Sequence, residues 1–147
     1  MNTIRENKIK SIFQDLELNA FDSQGYRMLE PSKTIYQFLE DFLSGIPDEL
    51  FSLIVSQNIE RLPEGNIIII LRNRVNKGSI GVVLGDNFAN FFYTEIKETR
   101  CIVEKATVKE LLSNKDFLIA VQDFISKINN QINRECSTPN PIYSPAS

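Results

Sequence analysis

Apolar positions near the start of the chain recur at helical intervals. Ile9, Ile12, Phe13 and Leu16 fall at i, i+3, i+4 and i+7, which predicts a helix over about 4–17. Thr3 and Glu6 stand in front of them at capping-box spacing. Ser32 is placed to N-cap a second helix with Ile35, Phe38, Leu39, Phe42 and Leu43 on its apolar face, and Gly45 ends it. Pro47 suits the first turn of a third helix, which Leu50, Phe51, Ile54 and Val55 carry on toward Pro63. Between the first two helices, residues 18–31 are irregular. Leu18, Phe21, Tyr26, Met28 and Leu29 predict a loop lying against the core.

After Gly65 the period changes. GNIIIILRNR predicts a strand over about 66–75, followed by strands over 79–84, 88–97 and 100–106 with short turns between them. Strands so closely spaced form an antiparallel meander, since a parallel crossover needs a dozen or more residues. Thr107 and Glu110 then repeat the capping-box spacing, with Leu111 and Leu112 turned inward. A break at Ser113-Asn114 precedes the helical stripe Phe117, Val121, Phe124, Ile125, Ile128 and Ile132. The fold class is therefore α+β: three N-terminal helices, a four-stranded antiparallel β-meander, and one or two C-terminal helices packing on the sheet. Residues 1–136 are expected to form a single domain. The proline-rich stretch 137–147, with Tyr143 and the Ser144-Pro145 step, is expected to be a disordered tail.

The strands do not alternate as a sheet wetted on one side should. Ile67, Ile69 and Leu71 point one way, while Ile68 and Ile70 point the other. Ile80, Val82 and Leu84 oppose Ser79, Gly81 and Val83. Phe88, Phe92 and Ile96 alternate with Ala89, Phe91 and Tyr93. Both faces carry large apolar groups, and burying each one contributes about 1.5–3 kcal/mol. The favoured arrangement puts N-terminal helices on one face and the C-terminal helix on the other. In the alternative, all helices share one face and the second is a homodimer or partner interface.

Composition narrows the chemistry. The 147 residues suit one domain, and 42% hydrophobic with 24% charged is ordinary for a globular protein. The polar start MNTIRENKIK is unlike a signal peptide, and no apolar run reaches the roughly 20 residues of a membrane span, so a cytoplasmic location is expected. Histidine is absent, which removes the usual neutral-pH general base and the His-dependent triads and metal sites. Cys101 and Cys136 are too few and too far apart for a zinc site or a disulfide scaffold. No cofactor or metal is expected. The glycines of KGSIGVVLGD lack the phosphate-loop pattern and precede strands, so they read as turn and packing residues. FANFFY, residues 88–93, has Asn87 and Asn90 where the aromatic motif of RNA-recognition domains needs a glycine and an aromatic.

Net charge is −3, unevenly spread. Residues 1–64 hold 6 Lys/Arg against 11 Asp/Glu, a balance of −5; residues 65–147 hold 10 against 8, a balance of +2. Glu40, Asp41, Asp48 and Glu49 bracket the turn between the second and third helices. They form an acidic knuckle suited to a basic protein partner. Phe91 and Tyr93 are the aromatic candidates for a docking sheet face. Arg72, Arg74 and Lys77 make a basic rim for an anion or nucleic acid, although three charges fall well short of a nucleic-acid footprint. In size, acidity and α+β order the chain is similar to bacterial toxin-immunity proteins. It is less similar to type III secretion chaperones, which interleave helices and strands differently. The lack of a catalytic constellation and the charge distribution, rather than that likeness, favour a non-enzymatic cytosolic binding or regulatory protein. The alternatives are a nucleic-acid-associated regulator and an enzyme working through Asp/Glu or Cys101.

Overall fold

The N-terminal helices follow the apolar spacing. In the computed structural model, which describes residues 3–73, 78–86, 88–95 and 98–137, α1 spans Thr3–Leu18 and buries Ile9, Ile12 and Leu16. α2 spans Lys33–Gly45 and buries Ile35, Leu39, Phe42 and Leu43. Ser32 caps it, its Oγ accepting from the Ile35 N–H at 3.2 Å. Gly45 ends α2 where a Cβ would stand 2.6 Å from Leu112 Cδ1, so the missing side chain lets two helices approach.

The third helix is shorter than its spacing predicts. α3 is the single turn Asp48–Phe51. A 3₁₀ turn over Ser56–Asn58 follows, and then a strand that the sequence pattern hides, β1 (Ile59–Arg61). One local bond and one strand pairing explain the switch. The Asn58 side chain accepts from the Val55 N–H at 2.8 Å, and Ile59, Glu60 and Arg61 pair with Ile69, Ile68 and Ile67. The backbone groups a longer helix would satisfy internally are satisfied by the sheet instead. Val55, expected on a helical apolar face, is exposed.

The sheet therefore has five strands, not four. β2 (Ile67–Arg72), β3 (Ser79–Gly85), β4 (Phe88–Glu95) and β5 (Glu98–Ala106) follow β1, and the order β1-β2-β3-β4-β5 is antiparallel throughout. The β4–β5 register shifts near Phe91. There Lys105 takes a positive φ of 55°, and its N–H donates to Asn90 Oδ1 at 2.6 Å, giving the displaced backbone a partner. Beyond β5, Thr107 and Glu110 cap α4 (Val108–Leu112) reciprocally, at 3.0 and 2.8 Å. Asn114 Oδ1 accepts from the Phe117 N–H at 3.0 Å and opens α5 (Lys115–Ser137). The helix takes in Ser137, the first residue assigned to the tail; residues 138–147, with Tyr143 and Ser144-Pro145, lie outside the described residues.

All the long helices serve one face of the sheet, not two. Ile67, Ile69, Leu71, Ile80, Val82, Leu84, Ala89 and Phe91 are buried and form one continuous core with residues of α1, α2, α4 and α5. The physical reason is the aromatic centre. Phe117 of α5 stands 4.8 Å from Phe91 and 6.3 Å from Phe42 between ring centroids, both edge-on. The α5 stripe of Phe117, Val121 and Phe124 is thereby spent on the core that α2 already uses.

The loop between α1 and α2 also departs from expectation. Of the five apolar residues expected to lie against the core, only Met28 is buried; Leu18, Phe21, Tyr26 and Leu29 are exposed. Its shape is held locally. Asp22 Oδ1 accepts from the N–H groups of Gln24 and Tyr26, both at 2.9 Å, and Gly25 supplies the positive φ of 88°.

Candidate binding surfaces

The uncovered sheet face is built by register. Ile68 pairs with Val83, Ile70 with Gly81, and Gly81 with Phe92, so these side chains share the side away from the helices. Ile68, Ile70, Val83 and Phe92 are half-buried, and among the described residues the buried core lies on the opposite face. Gly81 leaves a shallow notch, since a Cβ there would meet only ordinary contacts at 3.6 Å and beyond. Gly85 has a different use. The Phe88 ring lies over it, and a Cβ would fall 2.3 Å from the ring. Glu60 and Arg72, both exposed, flank this face. Cys101 pairs with Phe92 and is exposed, with its Sγ–H donating to the Val103 carbonyl at 3.4 Å. Partial burial, and then the Glu104 charge, push its thiol pKa up, which favours the thiol over the thiolate.

Phe91 and Tyr93 sit on the opposite, helix-covered side. Phe91 is fully buried and Tyr93 nearly so, which withdraws both from any docking role. Both faces of β4 carry aromatics, and pairing with β3 turns Phe91 inward and Phe92 outward. The Tyr93 hydroxyl donates to Asp123 Oδ2 at 2.5 Å, and Lys127 Nζ reaches Asp123 at 3.1 Å, Glu95 at 3.2 Å and the Tyr93 hydroxyl at 3.4 Å. Arg100 pairs with Glu95 at 3.5 Å. Desolvation, then the bond to Asp123, raise the Tyr93 pKa; the bond to Asp123 raises that of Lys127. Both groups are thus held protonated at neutral pH, the reverse of what a base or nucleophile needs. The cluster fastens α5 to β4.

Two of the four acids proposed for the knuckle already have partners within the chain. Glu40, Asp41, Asp48 and Glu49 are all exposed. Arg5 reaches across from α1, pairing through Nη2 with Asp48 and donating through Nη1 to the carbonyls of Leu43 at 3.1 Å and Ile46 at 3.0 Å. It lies over the Phe51 ring, 4.4 Å from the centroid. Asp41 accepts from Gln37 Nε2 at 2.9 Å. Because the knuckle belongs to the helical layer, it does not join the uncovered sheet face into one surface. Of the basic rim, Arg72 is exposed at the end of β2, while Arg74 and Lys77 lie outside the described residues.

Arg61 gave no sign in the sequence, where it sat in the expected third helix. It is 8% exposed, on the helix-facing side of β1. No carboxylate pairs with it among the described residues. Among those residues no group of three or more Cys, Asp or Glu is placed to hold a metal ion, and no helix is long and apolar enough to cross a membrane. No family model matches the chain, and neither a curated protein nor a solved structure matches it.

Proposed function

We propose that this chain is a non-enzymatic, cytoplasmic protein-binding module, regulatory in role, which acts by surface complementarity through the uncovered face of its sheet. The observation that carries the reading is the row Ile68, Ile70, Val83 and Phe92, half-buried on the sheet face opposite the core, which no helix covers among the described residues. A contiguous apolar patch of this kind is the usual mark of an interface. The flanking Glu60 and Arg72 supply a charged rim around an apolar centre, the common anatomy of a protein interface. The occupant is another protein.

The test compares capture from host cells by wild type and by an Ile70→Asp/Phe92→Asp variant, with Glu40→Lys/Asp41→Lys as the control. A specific protein retained by wild type and by the knuckle control, but lost by the sheet-face variant, supports the reading. Retention by the sheet-face variant contradicts it. Sizing the purified chain separates a second copy from another protein. A dimer that dissociates on Phe92→Asp would assign the face to self-association instead.

A further inference from the structure

Arg61 is a buried cation with unspent donors. Its Nη1 donates to the Leu16 carbonyl at 3.3 Å and its Nη2 to the Leu29 carbonyl at 3.2 Å. A guanidinium carries five N–H donors, so these two bonds leave three over. Nε is among them, buried and without a partner in the structure. Leaving buried donors unmade is costly, and a buried charge without a counter-charge is costlier.

The same residue lines a cleft of about 460 Å³ between the end of α1, the Phe21–Arg27 loop and the β1 strand. Phe21, Met28, Leu62 and Pro63 supply apolar wall. Two acids also line the cleft: Glu60, one strand position before Arg61, and Asp22, whose Oδ1 is committed to the N–H groups of Gln24 and Tyr26. A pocket with apolar walls and one convergent charged group is the general form of a small-ligand site. Arginine's planar fork suits a carboxylate.

We propose that this cleft binds the carboxylate of an amphipathic ligand, with Arg61 receiving the carboxylate and Phe21, Met28, Leu62 and Pro63 receiving the apolar part. Such a carboxylate is found on a free aliphatic acid and on the C-terminus of a peptide with an apolar last residue. This site is on the helical side of the sheet and stands independently of the sheet-face reading.

The test is a ¹H–¹⁵N NMR titration of the intact chain with hexanoate, with an acetylated Gly-Ala-Leu peptide as free acid and as amide, and with inorganic phosphate. Saturable shifts at the Arg61 Nε–H and the backbone amides of Asn19, Asp22 and Leu62 are expected with a carboxylate. Hexanoate binding more tightly would assign a free acid; the peptide acid binding more tightly would assign a chain terminus. The amidated peptide should bind at least about tenfold more weakly, because it leaves the guanidinium unpaired. Arg61→Lys should weaken the carboxylate by about tenfold or more, since lysine keeps the charge and loses the fork. If that variant fails to fold, the acid-against-amide comparison on wild type decides alone. No saturable shift by about 10 mM, equal binding of acid and amide, or tighter binding of phosphate than of either carboxylate would each overturn the proposal.

Discussion

The ring of Phe91 meets the ring of Phe117 edge-on, with centroids 4.8 Å apart and planes at 82°. That contact joins the middle of the sheet to the first turn of α5 and fixes which face of β4 is inside. Truncating either fully buried ring should therefore cost about 3–5 kcal/mol. Phe92, one residue along and half-exposed, should cost far less when changed to Ala. Urea unfolding of Phe91→Ala and Phe92→Ala compares the two directly. Equal losses would mean that the register across β3 and β4 is wrong.

Gly85 and Phe88 are coupled through space. A methyl group at Gly85 would enter the Phe88 ring at 2.3 Å. Gly85→Ala should cost about 1–3 kcal/mol by overpacking. In a Phe88→Ala background the same change should cost less, because the ring it displaces is gone. A double-mutant cycle by thermal or urea unfolding measures the difference, and additivity would contradict the ring placement.

Much of this fold was legible from period alone. The helical stripes of α1, α2 and α5, the caps at Ser32 and Thr107, and the antiparallel strands after Gly65 stand where the residues place them. β1 was hidden because Ile59 follows Ile54 and Val55 at helix-compatible spacing. Its three residues become a strand only by pairing with β2. The faces were harder still. A run such as Ile67–Leu71 reads as buried on both sides, yet Ile68 and Ile70 are only half-buried and have no helix above them among the described residues. Apolar content says that a face prefers cover and is silent on whether the chain itself supplies it. Of the candidate site residues, Phe91 and Tyr93 were turned inward by a register that no local signal encodes. Arg61 became distinctive only through its burial.

Ser32 joins two parts of the chain that are distant in sequence. Its hydroxyl caps α2 through Ile35 and also donates to Asp86 in the β3–β4 turn. Ser32→Ala removes both bonds and should cost about 1 kcal/mol. Asp86→Ala should cost less, since the cap itself survives. Denaturation midpoints of the two variants check the order.

Stability should fall on both sides of neutrality. The Asp123 carboxyl is held below its usual range, chiefly by the bond from the Tyr93 hydroxyl and then by Lys127; Glu110 is held low by the Thr107 backbone and hydroxyl. A lowered carboxyl contributes stability that is present above its unfolded value of about 4 and is lost as pH falls through the folded one. Lys127 and Tyr93 are both raised, so their contribution is complete below unfolded values of about 10 and is lost as pH rises through the folded ones. Asp123 and Lys127 are well exposed, which keeps these effects small. Thermal midpoints against pH should show Asp123→Asn flattening the acid limb, and an unchanged limb would remove Asp123 from the account.

Docking on the uncovered sheet face is tested most directly by hydroxyl-radical footprinting of the chain, free and in complex with its captured protein. Oxidation at Phe88, Phe92 and Cys101 should drop on binding, while Tyr26, exposed on the α1–α2 loop, should be modified as in the free chain. Unchanged oxidation at Phe92 and Cys101 in a complex that is demonstrably intact would contradict the assignment of that face.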